Sequence, residues 1–324
     1  MTKKYSNATI EGKISIITPC YNGENYLHRF LDSLLIQEYK NVELIFVNDG
    51  STDKTEEIFL LYKEKFEQKG WNVIYIKQAN QGQAAALNAG LKIFSGEYLM
   101  WPDSDDILYP EHLTKKVELM KNNPQAGIGF CWLDQVTEEN LTKVEKILKR
   151  EHNNLLDDFA GDLILNRNIL WPPIGAIIRS SAFFDVNPYR EIYAGKAGQN
   201  FQMFFPVGAK YSVCYLDESL GQYLIRETSH SRSQNDYQQR QFDHEDTWVH
   251  TIMRSPLSDE QKTKAIIRSV NHYEQLKMKK MQIKQKIKPR KVKIFGFIPL
   301  LKICFEENKT IVKLFDFIPI LSIR

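Results

Sequence analysis

Over the first 110 residues, apolar positions switch repeatedly between two periods. Lys13-Ile-Ser-Ile-Ile-Thr-Pro19, Val42-Glu-Leu-Ile-Phe-Val47, Trp71–Ile76 and Tyr98–Trp101 are short apolar runs, each reading as a buried strand. Between them, apolar residues recur every three or four positions. Leu27, Phe30, Leu31, Leu34 and Leu35 share one side of a helix over Tyr26–Gln37. A second helix runs through Tyr62 and Phe66, with Ser51, Thr52 and Asp53 as candidate caps, and a third spans Gln83–Phe94. Strands and helices alternating in units of about 30 residues predict an α/β fold with a parallel sheet and right-handed crossovers.

After Pro110 the rhythm loosens. Glu111–Asn122 reads as a helix, Ala126–Leu133 and Ala176–Arg179 as strands, and Tyr211–Leu216 as an edge strand. Val136–Arg150 is polar and reads as a helix or a loop. Trp171-Pro-Pro-Ile-Gly175 interrupts the chain, and Thr247–Lys286 is helical and increasingly basic. The tail repeats itself: Val292-Lys-Ile-Phe-Gly-Phe-Ile-Pro-Leu-Leu-Lys-Ile303 matches Val312-Lys-Leu-Phe-Asp-Phe-Ile-Pro-Ile-Leu-Ser-Ile323. Two copies are too few for a solenoid, so each reads as an apolar strand or hook with a proline turn.

A chain of 324 residues with 43% hydrophobic and 26% charged residues has the balance of a soluble globular protein. No apolar run reaches about 18 residues, so no membrane span is expected. Met1–Lys13 lacks the apolar centre of a secretory leader. Cys20, Cys131, Cys214 and Cys304 are scattered, with no Cys-x-x-Cys spacing, which implies free thiols and a cytoplasmic location. The net charge of +3 conceals a local excess. Gln275–Lys293 holds nine Lys or Arg and no Asp or Glu, so the basicity belongs to one surface.

The candidate chemistry lies where the predicted strands end. Tyr98–Trp101 runs into Asp103, Asp105 and Asp106, hard oxygen ligands at the edge where open α/β sheets bind ligands. By residue type alone, a helix cap and turn account for the same cluster. Three other segments would share that edge: Thr18-Pro-Cys-Tyr-Asn22, Asn48-Asp-Gly-Ser51 and Gln78-Ala-Asn-Gln-Gly82. Together with Asn80-x-Gly-x-x-x-Ala-x-Asn-x-Gly90 and Gly96-Glu-Tyr…Asp-Ser-Asp-Asp106, they resemble the family 2 glycosyltransferases of the GT-A fold, bacterial type. The resemblance covers roughly residues 13–110 and weakens over 170–232.

The resemblance implies a GT-A-like, mostly parallel sheet flanked by helices, with a helical and basic C-terminal extension. Residues 1–110 would form a nucleotide-binding half and 111–232 an acceptor-binding half. A helical basic region would follow over 233–290, and a twofold Phe-Ile-Pro tail over 291–324. Asp49 would accept a hydrogen bond from uracil, with Thr18, Pro19 and Tyr21 beneath the base and Asn80 and Gly82 beside it. Asp103 and Ser104 would lie nearer the ribose, and Asp105 would bind Mg²⁺ or Mn²⁺ with Asp103. His230 would meet the metal or a phosphate, and Arg232 would pair with phosphate. Trp101 and Trp171 are either sugar platforms or core.

One position departs from the family. Where a Glu-Asp pair would supply the general base, Gly195-Lys-Ala-Gly-Gln-Asn-Phe-Gln-Met203 has Gln199 and Asn200, and an amide is no base near neutral pH. Glu191, Asp185 or Asp134 could replace it, or the amides could bind acceptor, or the alignment could be shifted. The implied function is metal-dependent, inverting transfer of a sugar from a UDP-linked donor to a glycan or lipid-linked saccharide, in cell-surface polysaccharide synthesis. The alternative is a binding module for nucleotide-sugar or glycan without turnover. Gln275–Lys293 fits peripheral attachment to the anionic inner face of the plasma membrane, or a solvated helix packed on protein. No motif of nucleic-acid binding accompanies its lysines.

Overall fold

The first four strands pair in the order expected of a parallel sheet. They are β1 (Ile10–Cys20), β2 (Val42–Asp49), β3 (Asn72–Gln78) and β4 (Gly96–Met100), linked by helices α1 (Leu27–Leu35), α2 (Thr55–Gln68) and α3 (Gln83–Leu91). The computed structural model describes residues 7–150, 159–195, 197–225, 237–281, 291–293, 301–306, 309–314 and 318–323. The order across this half is β3-β2-β1-β4, every neighbour parallel. All four carboxyl ends therefore point to one edge. Both faces of β2 are buried along its whole length, which explains its unbroken apolar run. The α1 stripe lies inward at Leu27, Phe30, Leu31 and Leu34, and α3 lies close on β1. A Cβ on Gly90 would stand 2.4 Å from Ile17 Cγ2, so only glycine permits that approach.

The second half continues the sheet with mixed directions. After β5 (Ile107–Leu108) come α4 (His112–Asn122), β6 (Ala126–Thr137), β7 (Lys146–Leu148), α5 (Phe159–Ile164), a 3₁₀ turn at Pro173–Gly175, β8 (Ala176–Arg179), α6 (Ser180–Val186), α7 (Gln199–Gly208) and β9 (Ser212–Ile225). The path extends β4-β8-β6-β9-β5, with β7 on β6. Strand β8 is antiparallel to both β4 and β6, so β6 runs in the direction of β4 and ends on the same rim.

Three expectations are corrected here. Val136–Arg150 is neither helix nor open loop: β6 continues to Thr137 and β7 folds back onto Leu133–Gln135. Tyr211–Leu216, expected as an edge strand, pairs on one side only, with β6, but it is just the first part of β9. The strand runs on to Ile225 past the exposed Asp217 and Glu218, because register shifts let pairing with β6 resume, and β5 joins it at Gly221 and Gln222. The single helix expected over Thr247–Lys286 is two helices as far as the described residues go, α8 (Tyr237–Arg254) and α9 (Asp259–Met281), parted around Pro256, whose ring disfavours helix at the preceding residue.

Met1–Val270 forms one compact unit and Asn271–Arg324 another. The second contains an antiparallel meander of β10 (Lys291–Lys293), β11 (Leu301–Glu306), β12 (Lys309–Leu314) and β13 (Ile318–Ile323). In the second repeat copy Pro319 lies within β13, opposite Lys313. Pro299, its counterpart in the first copy, lies outside the described residues. No helix among the described residues is long and apolar enough to cross a membrane. Of the four cysteines, Cys20, Cys131 and Cys214 are free thiols.

Candidate functional site

The loops after β1 and β2 are joined by bonds running in both directions. Asn22 N donates to Ser51 Oγ (3.0 Å), and Thr52 N donates to Asn22 Oδ1 (2.9 Å). Gly23 N donates to Thr55 Oγ1 (2.7 Å) and Glu24 N to Asp53 Oδ2 (3.0 Å), while Lys54 N donates to Glu24 Oε2 (3.1 Å). Burial pushes the Asp53 carboxyl up, but the Thr55 hydroxyl and the amides of Glu24 and Thr55 outweigh it and hold it below the usual range. Polar short-chain residues follow each strand because they can satisfy loop amides that no sheet partner reaches.

Asp49 ends β2 with its side chain buried. Its Oδ1 accepts from Gln78 Nε2 (2.8 Å) and Gln81 N (3.0 Å), and its Oδ2 accepts from Gly82 N (2.8 Å). The loop after β3 is thereby folded over the end of β2. Gly50 makes this possible: its φ is +75°, and a Cβ there would lie 2.6 Å from Asn80 N. Asn80 and Gly82 are thus brought to Asp49. Thr18, by contrast, is fully buried within β1, and its hydroxyl has no partner. Pro19 is half-buried, and Tyr21 exposes 42% of its surface at the rim, an open aromatic face.

The third element of the rim is the turn after β4. Asp103 N donates to Asp106 Oδ2 (3.1 Å), and Asp106 N donates to Asp103 O (3.3 Å), closing the turn on itself. Asp103 and Asp105 are half-buried, Ser104 and Asp106 buried. Gln83, in the first turn of α3, donates from Nε2 to Asp103 Oδ1 (2.6 Å). Its Oε1 accepts from Gln199 Nε2 (2.5 Å) at the start of α7. Gln199 therefore reaches the acidic turn through one intervening amide. The sequence reading passed over Gln83, whose polar side chain looks like a solvated helix face. The available signal was its place directly after Gly82, which caps α3 with a φ of +88°.

Asn200 has a different setting. Its Oδ1 accepts from Trp101 Nε1 (2.9 Å) and its Nδ2 donates to Trp171 O (3.2 Å). Trp101 is buried and tilted against Phe204, 5.4 Å between ring centres, so its ring belongs to the core. Trp171 is half-buried and donates from Nε1 to Asn166 Oδ1 (2.7 Å).

The carboxylates weighed as replacement bases are dispersed. Asp185 pairs with Lys210 (2.6 Å) and accepts from Tyr211 (2.9 Å), just past the far end of α7. Lys210 is the first cause holding that carboxyl below the usual range. Asp185 thus stands toward the opposite end of α7, a helix about 15 Å long, from Gln199. Asp134 stands near the carboxyl end of β6 with both oxygens engaged, by Tyr109 (2.6 Å) and Ser219 (2.7 Å). Burial first, then Asp134, pushes the Tyr109 hydroxyl up to about 12. Glu191 is half-buried, 3.8 Å from the Arg254 guanidinium. His230 and Arg232 lie outside the described residues.

Among the described residues no three His, Cys, Asp or Glu side chains gather to hold a metal ion. The Asp103–Asp105 pair supplies hard oxygen donors alone, and Mg²⁺ is commonly held by one or two carboxylates plus phosphate and water. The donor set fits a cation that shares its coordination with a diphosphate.

The comparisons with known proteins agree with this arrangement. The sequence profile of "Glycosyl transferase family 2" matches residues 15–185. An uncharacterized glycosyltransferase of Rickettsia typhi is 39% identical over 128 residues, covering 39% of this chain and 38% of the relative. Glycosyltransferase GlyA of Streptococcus pneumoniae is 45% identical over 111 residues, covering 33% of this chain and 15% of the relative. The chain thus spans well under half of these relatives. Among solved structures, residues 1–349 of S. aureus TarS in complex with UDP-GlcNAc superpose with a TM-score of 0.62 at 21% identity, covering 85% of this chain and 76% of that one. Mannosyltransferase PcManGT from Pyrobaculum calidifontis, in complex with GDP-Man and Mn²⁺, gives 0.52 at 14% identity, covering 82% and 74%. At such identities the likeness concerns the fold, the GT-A arrangement of sheet and helices. With a family profile spanning more than half of its length and the family's rim segments in order, the chain belongs to glycosyl transferase family 2.

Proposed function

We propose that this chain transfers a sugar from a UDP-linked donor to a glycan or lipid-linked saccharide acceptor, with inversion at the anomeric carbon. The observation that carries the reading is the convergence on one rim of Asp49, the Asp103–Asp106 turn and, through Gln83, the start of α7. A carboxylate has about four lone-pair positions, and Asp49 uses three, leaving one on Oδ2 for the N3–H of uracil. Tyr21 offers its face to the base, and Asn80 and Gly82 close over it. Asp103 and Asp105 would hold Mg²⁺ or Mn²⁺, which supplies charge neutralisation for the diphosphate as the sugar bond breaks. His230, which lies outside the described residues, would meet the metal or a phosphate of the same site. TarS as a UDP-GlcNAc binder supports UDP as the first nucleotide to test.

On the acceptor side, Gln199 and Asn200 orient the hydroxyl, and Glu191 is the carboxylate assigned to take its proton. Residues 1–110 then serve the donor and 111–232 the acceptor. Within the basic region over 233–290, Gln275–Lys293, together with apolar residues of the tail over 291–324, attaches the enzyme to the cytoplasmic membrane face during cell-surface polysaccharide synthesis. Flotation with anionic liposomes tests that attachment through Gln275–Lys293, and no binding at low salt removes it.

A second reading has one observation in its favour. Each polar atom of the Asn200 amide already makes one structural bond, to Trp101 and to Trp171, so part of the capacity at the position of the missing base goes to holding the fold. A nucleotide-sugar-binding module without turnover would have this property. Calorimetry with UDP, with and without Mn²⁺, followed by a panel of UDP-sugars scored for released UDP, separates the two. Metal-enhanced binding with turnover of one sugar is the expected result. Binding with no turnover of any sugar makes the chain a module.

A further inference from the structure

The carboxyl end of β6 carries a second group of polar and aromatic side chains. Trp132 and Asp134 are two residues apart on one face of the strand, about 7 Å along it. Both are half-buried. Pairing with β9 slips twice beside them. Between Cys131 and Trp132 the partner advances from Leu216 to Ser219, and between Trp132 and Asp134 it advances to Gln222. The extra residues all belong to β9, so β6 keeps its alternation while Ser219 and Gln222 arrive next to Trp132 and Asp134. Bulges of this kind re-aim side chains and are common beside active sites.

Asp134 is held in place without being neutralised. Its Oδ2 accepts from Tyr109 Oη (2.6 Å) and its Oδ1 from Ser219 Oγ (2.7 Å). Gln222 Nε2 in turn donates to Tyr109 Oη (3.4 Å) and Leu141 O (3.0 Å). Asp162, Asp185 and Glu191 each face an Arg or Lys, whereas among the described residues no cation pairs with Asp134. A carboxylate has about four lone-pair positions, so two hydroxyls leave two for a ligand. Beside them stands the Trp132 indole, with Lys149 Nζ 5.5 Å from its ring centre. The ammonium disfavours a cationic ligand and the carboxylate an anionic one. A sugar is neutral, with hydroxyl donors at its edge and C–H groups on its face, and it matches a fixed carboxylate next to an aromatic ring. Tyr109 follows Asp106 by three residues, a span of at most about 10 Å, so the group shares the rim with the acidic turn.

We infer that Trp132 and Asp134 form a saccharide subsite on the acceptor half. The indole lies against the face of a sugar, and the carboxylate accepts from its hydroxyls. Tyr109 and Ser219 are positioning residues that act through Asp134. The subsite holds a part of the acceptor other than the reacting hydroxyl, and it rests on the acceptor-half reading proposed above.

The test is saturation-transfer NMR on the full chain with UDP and Mg²⁺, titrated with the methyl glycosides of glucose, galactose, mannose and N-acetylglucosamine. At least one glycoside is expected to bind saturably. Asp134→Asn should weaken it on the order of 10–100-fold, the scale of a hydrogen bond to a charged group. Trp132→Ala should weaken it about 3–10-fold, with Trp132→Leu in its place if the alanine variant does not fold. Calorimetry should find UDP affinity unchanged in each. Tyr109→Phe should cost less than Asp134→Asn and add nothing to it in the double variant. Absence of glycoside binding, wild-type glycoside affinity in the Asp134 and Trp132 variants, or an equal loss of UDP affinity would overturn the inference. Glycoside binding without release of UDP from any UDP-sugar would instead defeat the transfer reading and leave the subsite standing.

Discussion

In the loops after β1 and β2, residues 22–24 and 51–55 satisfy one another, each side chain capping an amide of the other loop. On α7 the arrangement is the reverse. Gln199 is met by Gln83 from α3, and Asn200 by Trp101 from the end of β4 and by the carbonyl of Trp171. The rim after β1 and β2 is thus built from strand-end loops that stitch themselves together. The start of α7 is held by single contacts brought in from distant elements. The difference matters for change: a self-stitched rim constrains its sequence locally, while a helix start held by long-range contacts can exchange carboxylates for amides and keep its place.

Breaking the donor side at its acidic turn should have the largest effect. Asp105→Ala should lower UDP release from the donor sugar by on the order of 10²–10³-fold, the scale of removing one transition-state charge stabiliser. Exhaustive chelation of the wild type should do the same, and unchanged turnover after both treatments would sink the metal-assisted reading. Next comes Gly50→Ala, which forces a side chain into a left-handed conformation and against Asn80 N. Urea denaturation should register about 1–3 kcal/mol from the backbone strain alone, together with weaker UDP binding as the Asn80 loop shifts.

The link between the two sides gives a smaller, sharper test. Gln83→Ala removes both of its amide bonds, each of the order of 0.5–1.5 kcal/mol. The kcat for UDP release should fall about 2–10-fold and UDP affinity by less, because the contact with α7 is lost together with one bond to Asp103. A fall in affinity equal to that in kcat would make Gln83 a nucleotide contact instead. The smallest effect is a pH dependence. Asp53 is held below the usual carboxylate range, so its contribution is fully present above the unfolded value, about 3.9. It fades as the pH falls through the lower folded value. The stability gap between wild type and Asp53→Asn should therefore close on acidification below about pH 4, and a constant gap would show that charge plays no part in the loop contact.

The first half of the sheet was legible because its signals are local. Apolar runs of strand length, helical spacing between them, and Asp, Asn, Gly or Ser after each run lead to β1–β4 and their loops within a few residues of the observed bounds. The second half was read less well for identifiable reasons. Asp217 and Glu218 interrupt the apolar pattern of β9, yet the strand continues because pairing with β6 resumes at Ser219 after a register shift and β5 joins at Gly221 and Gln222. Val136–Arg150 carries no strand periodicity, and becomes a hairpin only because β7 finds Leu133–Gln135 beside it. Gln83, an ordinary polar residue on an exposed turn, gave no cue of its own.

By itself the sequence determined the α/β class, the four strand ends and the family, because strand and helix periods are set residue by residue and parallel strands must share a carboxyl edge. Tertiary structure alone decided that Gln83 meets Gln199, 116 positions further along the chain, as well as Asp103, that Trp101 is core, and that Lys116 is seated on the Ile174 and Ala176 carbonyls. Such contacts depend on where the packed layers bring distant side chains together, and that distance leaves no period to read.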